Sequence, residues 1–344
     1  MADGATNPGY SITTSTAQFG PPLPLWTARP RERYWLHALL LLLTCFTTLV
    51  VGARMQYNFE RNLPLFSLEG GAAPFFPVKW VVSHPGWLLG GVPFAGSLML
   101  ILLAHELGHY LYCRYYGVSA TLPYFLPGPP WFGTFGAFIR IRSPIHSRRA
   151  LFDIGIAGPI AGFVVSCGVL GISLGMSRAL PAGAGPADLQ IGFPEIFRLA
   201  QGLFVALGAG GVLRLPLEQV NLHPMAVAAW VGMFATSLNL LPGGQLDGGH
   251  ILFSLFPRVH RWVSWFSVGA LLVLTYYCWT GWLVWAVFLG ASSYQHPPVE
   301  ARPRINGVRA WLAVCALLML ALTITPAPIL HSSLPEVIYA LRQK

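Results

Sequence analysis

Two histidines four residues apart mark the part of this sequence that most clearly suggests metal chemistry. The segment "LLAHELGHYL", residues 102–111, holds the pattern His-Glu-x-x-His at His105, Glu106 and His109. On a helix, positions i and i+4 share one face, so both imidazoles can bind the same metal ion. Glu106 follows the first histidine and can act on water as a general base. The pattern therefore predicts a zinc site beside a catalytic carboxylate.

A third zinc ligand has to come from elsewhere, because catalytic zinc usually takes three protein ligands. The candidate segment is "NLLPGGQLDGGH", residues 239–250, in which Asn239 and Pro242 end an apolar run and Asp247 follows a glycine-rich turn. Asp247 is the best third ligand, although it could instead be the N-cap of the next helix. His250 could be a fourth ligand, a supporting hydrogen-bond donor or an interfacial histidine, and we expect at most a supporting role.

The composition places these groups in a membrane. Of 344 residues, 54% are hydrophobic and only 10% are charged, whereas soluble domains carry about 25% charged residues. So few charges cannot cover a water-facing surface of this size, and we predict a multi-pass membrane protein. The net charge of +9 comes from clusters between apolar runs, which is typical of cytoplasmic loops and not of a nucleic-acid-binding domain. The five cysteines lie in apolar stretches without a CxxC pair, so we expect neither disulfides nor a cysteine zinc site.

Six or seven membrane spans are predicted, with the fifth and sixth runs short enough to form one tilted helix. The runs lie at about 34–53, 88–116, 151–176, 222–241, 263–279, 281–295 and 308–327. With seven spans and the N-terminus inside, four arginine groups fall on the cytoplasmic side.

The domain boundaries follow from these runs. We expect a flexible cytoplasmic tail at 1–33, the first span with an outer loop at 34–87, the catalytic core at 88–256, C-terminal transmembrane helices at 257–330 and a C-terminal tail at 331–344. No cleavable signal peptide is evident, so the first span is expected to remain as an anchor.

Two connections and one acidic residue have further interpretations. The segment 129–144, "PPWFGTFGAFIRIRSP", has glycine and proline followed by a period of two, which predicts an extended hairpin or a re-entrant strand. Its edge around Gly133, Gly136 and Phe138 could pair with an unwound substrate, or the hairpin could merely plug a cavity. The outer loop at 177–221 includes a predicted interfacial helix. Asp153 is interpreted as an acid favoured by a helix N-terminus.

The two motifs together carry a resemblance to a known family. His105-Glu106-x-x-His109, followed much later by Asn239-x-x-Pro242-x-x-x-Leu246-Asp247-Gly248, resembles the site-2 protease family of intramembrane zinc metalloproteases. "GTFGAF" at 133–138 and "AGPIAG" at 157–162 resemble further segments of that family. The similarity covers roughly residues 88–256.

This resemblance implies an all-α polytopic membrane protein with a three-helix metalloprotease core, formed by the second, third and fourth runs, and a short re-entrant β-hairpin at 129–144. It implies one zinc ion held by His105, His109 and Asp247. It also implies Glu106 as the base and Asn239 near the substrate or the oxyanion. No connection is long enough for the PDZ domain that many relatives carry, so the PDZ-less type is expected.

The expected function is intramembrane zinc endopeptidase activity, which cuts peptide bonds within or near transmembrane segments of single-pass membrane proteins in the lipid bilayer, as in regulated intramembrane proteolysis. An upstream site-1 protease could trim the substrate first. We expect a multi-pass protein of the bacterial inner membrane, with its active site toward the cytoplasm. Two alternatives are a transporter or channel that moves protons or metal ions through a His/Asp cluster, and an inactive relative that binds membrane helices. The first leaves Glu106 unexplained, and the intact ligand set argues against the second.

Overall fold

A computed structural model describes residues 33–66, 77–128, 132–181, 189–293, 299 and 307–343. The chain divides after Arg33, and the second unit, Tyr34–Lys344, carries the structure discussed below. Apart from Arg33, the predicted cytoplasmic tail at 1–33 lies outside the described residues.

Helices make up most of the described chain. The α-helices are α1 Tyr34–Glu60, α2 Val78–Ser83, α3 Val92–Tyr115, α4 Arg148–Met176, α5 Glu195–Ala206, α6 Pro224–Asn239, α7 Asp247–Leu255, α8 His260–Tyr277, α9 Trp282–Ser292, α10 Gly307–Thr323 and α11 Leu334–Arg342. Short 3-10 helices lie at Pro85–Gly91, Gly211–Arg214 and Leu217–Gln219, and the strands are β1 Tyr124–Gly128, β2 Gly133–Phe138, β3 Arg178–Ala179 and β4 Val220–Asn221.

Three helical segments have the length and apolar composition needed to cross a membrane. They are α1 with 27 residues, the continuous segment Pro85–Tyr115 with 31 residues, and α4 with 29 residues. These correspond to the first three predicted runs. The later helices are shorter: α9 has 11 residues, which extends about 16 Å, against a hydrocarbon core of about 30 Å.

Breaks in the sequence account for the shorter helices. The turn at 240–246, which contains Pro242, separates α6 from α7, and a second break lies between Tyr277 and Trp282. The described part of 263–295 therefore forms two packed helices, α8 and α9, and the alternative of one long tilted helix is wrong.

The second, third and fourth apolar runs, now α3, α4 and α6, pack against one another. Side chains from all three helices meet in one buried cluster that includes Ile101, Leu170 and Trp230. The approach of α3 to α4 is close at Gly108, where a Cβ atom would lie 2.5 Å from the carbonyl oxygen of Ala157. A glycine is required at that point because the two helix backbones nearly touch.

The expectation of an all-α fold with one hairpin needs correction, because the described residues hold two small antiparallel sheets. β3 pairs with β4, and β1 pairs with β2. The β1–β2 hairpin starts earlier than the predicted segment 129–144, with Tyr124 opposite Phe138 and Gly128 opposite Gly133. The first strand was missed because its residues alternate weakly and include a proline, which normally marks a strand edge.

Helix α1 holds the hairpin at both ends. Thr47 donates its hydroxyl hydrogen to the Gly133 carbonyl at 2.5 Å. Near the other end, His37 Nδ1 lies 3.1 Å from the Pro123 carbonyl oxygen, and its ring stacks on Tyr124 at 4.0 Å between centroids. These contacts fix the hairpin beside α3, which carries the histidine motif.

Candidate metal centre

The structure brings the three predicted ligands together. His105 Nε2 and His109 Nε2 lie 3.2 Å apart, and the same Asp247 oxygen, Oδ2, lies 3.4 Å from the first nitrogen and 3.2 Å from the second. Both histidines are buried. Two imidazole nitrogens and one carboxylate oxygen therefore converge on a single point.

This arrangement fits a zinc ion. Tetrahedral zinc with Zn–N distances of 2.0–2.1 Å separates neighbouring ligand atoms by about 3.3 Å, which is the spacing observed here. The tautomer of His109 also fits, because its Nδ1 lies 2.7 Å from the Ile154 carbonyl oxygen and donates its hydrogen there. The lone pair of Nε2 then points to the metal position. His105, His109 and Asp247 are accordingly assigned as residues able to hold zinc.

Backbone packing between the end of α6 and the start of α7 positions Asp247. Gly244 adopts a φ of +57°, which favours glycine. A Cβ atom on Gly248 would collide with the Leu240 carbonyl, and one on Gly249 would lie 2.8 Å from the Gly243 carbonyl carbon. The first turn of α7 thus rests directly on the preceding turn. Asp247 is the first residue of α7 rather than its N-cap, so the N-cap interpretation is wrong.

The segment "AGPIAG" now has a physical explanation that sequence reasoning did not supply. It lies on α4, and two of its glycines face the imidazoles of α3. A Cβ atom on Gly158 would lie 2.5 Å from Cε1 of His109 and closer still to Nε2, and one on Gly162 would lie 3.1 Å from Nδ1 of His105. These glycines leave the space that the two histidines occupy.

A cavity of about 230 Å³ surrounds the ligands. Glu106 is buried in its wall, and its carboxylate interacts with the backbone N–H of Ile139, just after β2. Asn239 Nδ2 lies 3.2 Å from His105 Nε2, and His250 lines the same cavity. A larger cavity of about 570 Å³ elsewhere contains none of these groups, so volume alone would have pointed to the wrong place.

The three predicted strand residues take different positions. Gly133 packs on α1, where a Cβ atom would lie 2.6 Å from the Thr47 carbonyl oxygen. Gly136 lines a smaller cavity that adjoins the metal centre. Phe138 lines the cavity of about 230 Å³ that surrounds the ligands. Only the last two therefore face the site.

Asp153 has a partner that the sequence alone did not indicate. Arg309 of α10 donates to Asp153 from Nε at 2.8 Å and from Nη2 at 2.6 Å, and the Tyr116 hydroxyl donates at 2.5 Å. Burial, together with this hydrogen bond to Asp153, raises the pKa of the Tyr116 phenol, so it remains a neutral donor. Interpreting Asp153 only through the helix N-terminus was incomplete, because the acid joins α10 to the start of α4.

Comparison with known proteins assigns the family. The fold and site describe a membrane protein with a buried two-histidine, one-aspartate metal centre beside a glutamate. The model of peptidase family M50 matches residues 93–276. The chain belongs to this family, the site-2 protease family.

Curated relatives are named as zinc proteases. The "Probable zinc metalloprotease EGY1, chloroplastic" of Oryza sativa subsp. japonica is 31% identical over 244 residues, which cover 69% of this chain and 39% of that protein. The "Probable zinc metalloprotease EGY2, chloroplastic" of Arabidopsis thaliana is 34% identical over 179 residues, which cover 50% of this chain and 30% of that protein. The chain thus spans less than half the length of these relatives.

Proposed function

We propose that this protein is an intramembrane zinc endopeptidase that hydrolyses peptide bonds within or near transmembrane segments of single-pass membrane proteins. The observation that carries the proposal is the position of Glu106, which is buried on a long apolar helix beside three side chains that could hold zinc. Ligands alone would serve transport or storage, but an adjacent carboxylate in the same cavity serves hydrolysis. Family membership and the names of the relatives support the same conclusion.

The mechanism assigns one task to each residue. His105, His109 and Asp247 would hold a zinc ion, which would supply a Lewis acid and lower the pKa of a bound water. Glu106 accepts a proton from the attacking water and delivers it to the amide nitrogen that leaves. Asn239 lines the same cavity, and its side-chain amide would donate to the substrate carbonyl oxygen as negative charge develops there.

The placement in the membrane is also proposed. His105 precedes Arg114 on α3 by nine residues, about 13 Å along the helix, so the site lies nearer the arginine-rich side, which the positive-inside rule assigns to the cytoplasm. The proposed topology has six or seven spans, with α6, α8, α9 and α10 adding to the three long helices. A bacterial inner membrane remains a prediction, and the relatives named above are chloroplastic.

We further propose that the hairpin binds the substrate as an added strand. Among the described residues, β2 pairs only with β1, and we propose that the substrate pairs along its second edge. That edge leads into the cavity at Ala137 and Phe138. Pairing there would replace hydrogen bonds that the substrate loses when its helix unwinds, a loss of several kcal/mol per group in an apolar setting. An upstream protease that trims the substrate first is part of the same proposal.

The peptidase proposal is tested with Glu106→Gln. We expect the purified variant to keep its zinc and lose cleavage of single-pass membrane proteins from the same cell, because the ligands remain and the base is lost. Glu195→Gln, an exposed acid on α5, is the matched control and should cut normally. Equal cleavage by Glu106→Gln and wild type would remove Glu106 from the mechanism. Zinc-dependent ion flux through liposomes, without cleavage, would favour the transporter alternative.

Cross-linking tests the strand proposal. Phe135 is 70% exposed on β2, so Phe135→Cys can be combined with Glu106→Gln to hold an uncut substrate that carries single cysteines. Added-strand binding predicts disulfides at alternate substrate positions, since side chains alternate along a strand. Cross-links with a helical period of three to four, or none near the cut site, would show that the hairpin only plugs the cavity.

A further inference from the structure

A second, smaller cavity adjoins the metal centre. It measures about 120 Å³ and lies between α3, β2, α6 and α9. His105, Glu106 and Asn239 line one end, and they also line the cavity of about 230 Å³ around the metal centre. The smaller cavity therefore opens beside the base and the amide proposed to act on the scissile bond.

The remaining walls of this cavity are apolar. Ile101, Leu102, Ala235 and Trp285 contribute hydrocarbon and aromatic surface. The hydroxyl of Thr236, a further lining residue, donates to the Gly232 carbonyl of its own helix at 2.9 Å. Its hydroxyl hydrogen is thus used inside α6, and the other polar side chains that line the cavity are those of the site residues at one end.

We propose that this cavity is the specificity pocket for the substrate side chain next to the scissile bond, and that it selects an aliphatic side chain of about leucine size. The inference rests on the proposed peptidase function. An apolar cavity of about 150 Å³ holds a benzene molecule, so the space here suits one branched aliphatic group. A substrate carboxylate would be disfavoured, because burying a charge without a partner in an apolar cavity is costly.

Ala235 and Trp285 are the residues that set the pocket's size. Ala235 is half-buried on α6 and leaves space that a larger side chain would fill. Trp285 closes the opposite side from α9 and is half-buried. Gly232 cannot serve this purpose, because a Cβ atom there would lie 2.5 Å from Cγ2 of Ile101 and would disturb helix packing.

The test uses one cleavable substrate in which each residue flanking the cut is changed in turn to Ala, Leu, Phe or Asp. The wild-type protein should prefer Leu over Ala by at least about tenfold in kcat/KM at one of the two positions, since a few methylene groups in an apolar pocket change rates by that much. Asp should be cut most slowly there. Ala235→Leu should reverse the preference to Ala, and Trp285→Ala should raise the rate for Phe relative to Leu.

Zinc content and thermal stability establish that each variant is folded, with Ala235→Val as a milder second substitution. Val284→Ala is the matched control, because Val284 precedes Trp285 and is 69% exposed, and its preferences should equal those of wild type. Cleavage of the panel without a size preference, or with a preference that neither pocket variant moves, would refute the pocket while the peptidase function stands. Cleavage of no substrate by wild type would refute the peptidase proposal, and the pocket with it.

Discussion

Gly158→Ala should weaken zinc binding through one added methyl group. Gly158 lies on α4 and faces His109, whose ring occupies the space where the methyl group would be. The ring cannot turn away freely, because its Nδ1 is bound to the Ile154 carbonyl of the same helix at 2.7 Å. The substitution therefore acts on a metal ligand without changing any group that binds metal.

The size of the effect follows from the distances. The new carbon would lie 2.5 Å from Cε1 of His109, whereas non-bonded carbon atoms sit about 3.5–4.0 Å apart. His109 or the backbone of α4 must move by about 1 Å, well beyond the tolerance of about 0.2 Å for metal–ligand distances. We expect zinc affinity to fall by at least 10–100-fold and cleavage by about 100-fold.

The assay compares Gly158→Ala with Gly168→Ala. Gly168 lies on the same helix, and a Cβ atom there would meet nothing within 4 Å, so this control should bind zinc and cut like wild type. Zinc per chain is measured by mass spectrometry after titration with a competing chelator, and cleavage is measured at saturating zinc. If Gly158→Ala keeps wild-type zinc affinity and wild-type cleavage, the packing of α4 against the histidines is wrong as described.

Two further predictions concern the acids. Asp247→Asn should weaken zinc binding, because a neutral amide is a poorer ligand than a carboxylate; unchanged metal content and activity would make His250 the first candidate for the third ligand. Asp153→Asn should lower thermal stability, with a loss of about 3 kcal/mol, because it leaves Arg309 without its buried counter-ion. Thermal unfolding measures this loss, and a melting temperature equal to that of wild type would show that the pair contributes nothing to stability.

Sequence reasoning succeeded where chemistry requires particular residues at particular spacings. The i and i+4 histidines had to share a helix face, and a carboxylate in an apolar chain needed a partner, so His105, His109 and Asp247 could be grouped from the sequence alone. The roles of Gly158 and Gly162 could not be foreseen, since an absent side chain gives no signal until its neighbour in space is known. The pairing of Asp153 with Arg309 was equally hidden, because several arginines were available and only packing of α10 selects one.

Element boundaries were less predictable than the site. Hydropathy marks where a chain is apolar, but α6 ends when Pro242 and the glycines after it turn the backbone, and the surrounding residues remain apolar. The first strand of the hairpin was missed for a related reason: its partner strand and α1 hold it in place, so its conformation depends on contacts distant in sequence.

The convergence of α3 and α7 on one metal position also bears on how the protein stays assembled. Inside a bilayer, lipid tails are as apolar as leucine side chains, so burial of apolar surface contributes little to holding helices together. A zinc ion bound by His105, His109 and Asp247 acts as a cross-link between segments far apart in the chain, and its binding free energy is added to that of folding. A cell that is short of zinc would then hold a less stable form of the protein.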